Sequence, residues 1–243
     1  PTHNTIDPTG VIPLAPSFDT VGLMAKNLEV LLKVFKTVSQ IKNKTEVKKV
    51  LLPVDILERV DIETKEAIIL AAKTLAKKLD IPLEEIEFDS FCNQEVGDSL
   101  ARLQGREIWH NHGTWVKENS EYLLADVRTR LERCEQFSLA TNDDKNTDQK
   151  AWSEYAERLQ SLLSDSVLVL PILLSTMILR TASVEEQKEF RTKTYRLVAP
   201  ASLAGLPEMV VPVKIQSGRT IGIGLLGEKN SDLTLLSIGN EVG

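Results

Sequence analysis

The run Ser166-Val167-Leu168-Val169-Leu170-Pro171 constrains this chain more than any other stretch. A strand with water on one face alternates apolar and polar side chains, whereas an uninterrupted apolar run requires cover on both faces. Such a strand lies inside a sheet, and other elements must close over it. The rest of the chain offers them. Leu28, Leu31, Leu32, Phe35 and Val38 share one helical face, with Asn27 placed to cap it. Residues 48–54 read as a short buried strand. Asp61 then caps a second helix with Ile68, Ala72, Leu75 and Leu79 on its apolar side, and Ile86-Glu87-Phe88 reads as another short strand. Helix, strand, helix, strand in this order predicts an α/β sheet with crossover helices. Residues 209–213 and 220–226 add two strands, the second followed by a short helix from Ser231.

Two regions differ in texture. Pro1, Pro8, Pro13 and Pro16, with Gly10 and Gly22, exclude a helix from the first 25 residues and predict an irregular loop, as if a connection had been cut in mid-course. Residues 97–163 are rich in Glu, Arg, Leu and Gln. They predict two or three helices packed on the sheet, with breaks near Gly113 and over residues 142–147.

Charge and cysteine content narrow the function. A formal net charge of −6 argues against a nucleic-acid binder and gives no attraction to an anionic membrane. The longest apolar stretch, residues 166–174, is too short to span a bilayer. Cys92 and Cys134 cannot build a disulfide framework at this size and read as reduced thiols. The N-terminus shows no basic start and no apolar signal core, so the expected compartment is the cytoplasm.

Few residues suggest chemistry on their own. Gly222-Ile223-Gly224-Leu225-Leu226-Gly227 spells a dinucleotide fingerprint, but its glycines fall inside an expected strand and not at the start of a helix. They read as a strand that another segment crosses closely. His110 and His112 are two apart, so on a helix they point to different sides and cannot share a metal. Cys134 has no evident base, and Glu84-Glu85 reads as solvent-facing charge. No metal site, cofactor or catalytic constellation is expected from these residues.

Four stretches taken in order change that picture. Pro1-Thr2-His3 with residues 10–25, then residues 165–171, then residues 197–213 with Pro200, Gly205, Pro207 and Pro212, and finally residues 221–236 resemble successive motifs of the amidase-signature family. The resemblance spans nearly the whole chain, with the helical middle as a variable insertion. It implies an α/β fold with a mixed β-sheet core sandwiched by helices, of which residues 1–243 form the C-terminal portion of one domain. It implies hydrolysis of a linear carboxylic amide, without cofactor, by a Ser nucleophile, a bridging Ser and a Lys base. All three lie upstream of the match to Pro1, and the Gly-Gly-Ser-Ser signature does not occur here. Ser17 and Ser202 match structural positions. No catalytic residue is therefore assigned to this chain. The same resemblance places Pro171, Ile172, Leu173, Leu174 and Ser175 in the substrate pocket. It leaves a sheet edge that an N-terminal half or self-association must cover. An amidase-like module used only for binding or assembly is the alternative. Asn4 stands where the family has Gly, and Ile172 where it has Thr.

Overall fold

The structure, a computed structural model, describes residues 1–174 and 178–242. The Asn27 side chain accepts a hydrogen bond from the Val30 backbone and starts α1 (Leu28–Val38). Strand β1 (Lys49–Pro53) runs into the single turn α2 (Val54–Leu57), and Asp61 caps α3 (Ile62–Leu79). Strand β2 (Leu83–Ile86) and a second short turn, α4 (Asp89–Cys92), lead to three long helices. These are α5 (Gln94–Asn119), α6 (Ala125–Ser138) and α7 (Asn142–Leu162). Then come β3 (Ser166–Pro171), α8 (Val184–Ala204), β4 (Glu208–Lys214), β5 (Thr220–Gly227) and α9 (Asp232–Ile238).

Among the described residues, five strands form one sheet in the order β2-β1-β3-β5-β4. β3 holds the centre. It runs parallel to β1, which is parallel to β2, and antiparallel to β5, which carries β4 on its far side. The sheet is therefore mixed. Every residue of β3 is buried, as an apolar run without alternation requires. Val167 and Val169 pack with Val50, Leu52, Ile68 and Leu75 on the face covered by α3. Leu168 and Leu170 pack with Leu51, Leu100, Leu159 and Leu197 beneath α5, α7 and α8. Burying each such side chain contributes about 1.5–3 kcal/mol, so these two layers dominate the hydrophobic term.

Four sequence expectations are corrected. The strand expected at Ile86-Glu87-Phe88 lies further upstream, at Leu83–Ile86. The Asp55 carboxylate accepts from the Phe88 backbone N–H at 3.0 Å and the Asp89 N–H at 2.6 Å, which turns the chain into α4. Gly113 does not break a helix, because α5 runs straight through it. A Cβ there would stand 2.9 Å from the Trp109 ring, so glycine makes room for the indole. The polar run at 142–147 is the first turn of α7 and not a gap. Thr141 caps it, exchanging hydrogen bonds with Asp144 in a capping box. Lastly, Val38 leaves the apolar face of α1 and is 43% exposed.

Candidate functional site

The end of β3 and the middle of β5 pack closely against each other. Pro171 ends β3 opposite Ile223, and Ile172 follows it. Pro171 is buried, while Ile172, Leu173 and Leu174 are half-buried; Ser175 lies outside the described residues. The Ile172 side chain lies across the glycines of β5. A Cβ on Gly222 would come within 2.3 Å of Ile172 Cδ1, and one on Gly224 within 3.0 Å of Ile172 Cγ2. The G-x-G-x-x-G pattern thus serves close packing inside a strand. Its third glycine does the same, since a Cβ on Gly227 would stand 2.2 Å from Ser231 Oγ.

Glu208 shares this place, and sequence reasoning missed it. It opens β4 opposite Leu226, and its carboxyl extends over Gly224, where an added Cβ would lie 2.9 Å from Oε1. Oε1 is shut off from solvent and has no hydrogen-bond partner, although the residue as a whole keeps partial exposure. Burial pushes the carboxyl up to about 7. The available signal was an acidic residue at the head of the otherwise apolar run Met209-Val210-Val211-Pro212.

The remaining candidates disperse. His112 Nε2 lies 2.7 Å from the Pro13 carbonyl and ties α5 to the first loop, while His110 is exposed. Among the described residues, no three His, Cys, Asp or Glu side chains are grouped as a metal would need. Both thiols are free; burial pushes Cys92 up to about 12 and also raises Cys134, which opposes thiolate formation. Glu84 pairs with Lys49 at 3.0 Å. Asn4 holds the left-handed conformation, φ 63°, which Asn tolerates better than most non-glycine residues. It borders an open depression of about 490 Å³, where His3, Ser17, Trp152, Ser202 and Lys229 also line the wall.

No family model matches the chain. Curated relatives do. "Amidase 1" of rice, Oryza sativa subsp. japonica, is 24% identical over 276 residues, covering 100% of this chain and 62% of its own length. "Translocon at the outer membrane of chloroplasts 64" of pea, Pisum sativum, is 22% identical over 97% of this chain and 44% of its own length. Among solved structures, an allophanate hydrolase of Kluyveromyces lactis superposes on all of this chain and 42% of its own, with a TM-score of 0.83 at 19% identity. These relatives and structural neighbours are amidase-signature proteins, and the chain is similar to them along its whole length. Its mixed sheet with helices matches part of the fold of these neighbours. It spans less than two thirds of the length of the rice protein. No helix among its described residues is long and apolar enough to cross a membrane.

Proposed function

We propose that this chain forms the C-terminal portion of a single amidase-signature domain that hydrolyses a linear carboxylic amide to the acid and ammonia or an amine. Residues 97–163 form its helical insertion. The observation that carries the reading is the likeness to rice Amidase 1 along the whole chain, with the end of β3 leading into a half-buried apolar segment. In this reading Pro171, Ile172, Leu173, Leu174 and Ser175 line the substrate pocket. The Ser nucleophile, bridging Ser and Lys base come from a segment that precedes the match to Pro1. The same segment, or a second copy of this chain, covers the outer edge of β4, where Val210 is 49% exposed. Two free thiols support a reducing compartment, and we propose the cytoplasm.

Fluorophosphonate labelling, read by intact mass beside ammonia release from aryl and aliphatic amides, tests this. The 27.1 kDa chain alone should take up no probe and release no ammonia. A preparation that also contains the Gly/Ser-rich segment should do both, with the label on that segment. Labelling and turnover by this chain alone would place the nucleophile within residues 1–243 and defeat the assignment.

A second reading, a non-catalytic module for binding or assembly, is favoured by the pea translocon likeness, whose identity is close to that of the amidase. It predicts no hydrolysis by any preparation, together with a stable isolated chain.

A further inference from the structure

Glu208 is a buried acid that the proposed hydrolysis does not use. Its surroundings on the sheet are apolar. Gly224 lies beneath the carboxyl, and the point where a Gly224 Cβ would stand is 2.9 Å from Glu208 Oε1, 3.0 Å from Ile172 Cγ2 and 3.0 Å from Leu170 Cδ2. One small volume thus collects the carboxyl, Leu170 near the end of β3, and Ile172 of the segment proposed to line the pocket. No side-chain cation of the described residues acts on Glu208, and nothing donates to or accepts from Oε1.

A carboxyl kept this way is costly unless something completes it, and orphaned buried polar atoms concentrate at functional sites. The residue keeps partial exposure while Oε1 itself is shut off from solvent, so a bound molecule reaches Oε1 only when the side chain turns outward. The raised proton affinity described above keeps a neutral acid populated near pH 7. A neutral carboxylic acid carries one O–H donor beside one carbonyl acceptor. A primary amide, –CONH₂, carries the complementary acceptor and donor in the same arrangement, so the two groups can exchange two hydrogen bonds. A tertiary amide has no N–H to offer, and a trans secondary amide points its N–H away from its carbonyl side.

We infer that Glu208 binds the –CONH₂ group of a primary amide on the pocket wall and so sets a preference for primary over N-substituted amides. This rests on the amidase reading above and adds a substrate class to it.

The test is calorimetric titration of the purified 243-residue chain with benzamide, N-methylbenzamide and N,N-dimethylbenzamide, for wild type, Glu208→Gln and Glu208→Leu. Wild type should bind benzamide about tenfold more tightly than the dimethyl compound, the ratio expected when hydrogen-bonding partners are left unpaired. Glu208→Leu should lose that preference, and Glu208→Gln, whose amide keeps a donor beside an acceptor, should retain most of it. Folding of each variant is checked by circular dichroism. Should Glu208→Leu fail to fold, the wild-type ratio and Glu208→Gln still decide. Equal binding of the three amides, unchanged binding in Glu208→Leu, or no binding of benzamide to folded wild type overturns the inference. Any of these results beside probe labelling of the complete protein removes Glu208 alone and leaves hydrolysis standing. Absence of labelling, with the benzamide preference intact, removes hydrolysis and leaves a primary-amide binding module.

Discussion

At the scale of single residues, Glu208 has a consequence for stability that does not depend on any ligand. Its carboxyl is raised from 4.5 to about 7 by burial, so the folded chain holds that proton more tightly than the unfolded chain. The stability it contributes is fully present below about pH 4.5 and is lost as the pH rises through about 7. Glu208→Gln removes the titration. Relative to that variant, wild type should lose about 3 kcal/mol between pH 4.5 and pH 8, measured by urea unfolding at a series of pH values. A constant difference across that range would show that the carboxyl is solvated. Little of this was legible in the sequence. One acid at the head of an apolar strand has no signature until the fold lays Gly224 beneath it. Asn4 was legible, because a residue replacing glycine in a turn must accept a left-handed backbone, and φ 63° shows that it does.

Elements were legible where their period was clean. α1, α3, β1, β3, β4 and β5 follow from caps and from apolar spacing, and each begins within a residue or two of the expected place. β2 shifted because two backbone N–H groups are drawn to Asp55, a contact between segments that no local window contains. α8 has no clean signal in the sequence, since Pro200 sits within its last turns and argues against a helix there. The pairing of β3 with β5 gives a prediction at this scale. Gly222→Ala drives a methyl group into Ile172 and Val210 and should cost about 1–3 kcal/mol, the usual range for overpacking. Adding Ile172→Ala clears the nearest atoms, so the double variant should be more stable than the sum of the two single changes. Strict additivity in urea unfolding would mean that the two strands do not press on each other there.

Across the whole molecule, the first loop is fastened to the last helix. Thr2 is fully buried; its backbone N–H and hydroxyl donate to the Asp232 carboxylate at 2.7 and 2.6 Å, and the Asn230 N–H donates to the same hydroxyl. Asp232→Ala strands two buried donors and should cost about 3 kcal/mol by chemical unfolding, while Asp232→Asn, which keeps an acceptor, should cost less. Equal stability of Asp232→Ala and wild type would show the loop to be untethered. Sequence order concealed this contact because nothing local to either end announces it. The position of β3 has a different consequence, one of timing. Its parallel neighbour, β1, is made before it, but its antiparallel neighbour, β5, is made only after α8 and β4. A ribosome adding roughly 5–20 residues per second would leave the most apolar strand of the chain with one bare edge for on the order of seconds. During synthesis, that interval is when chaperones would be most needed.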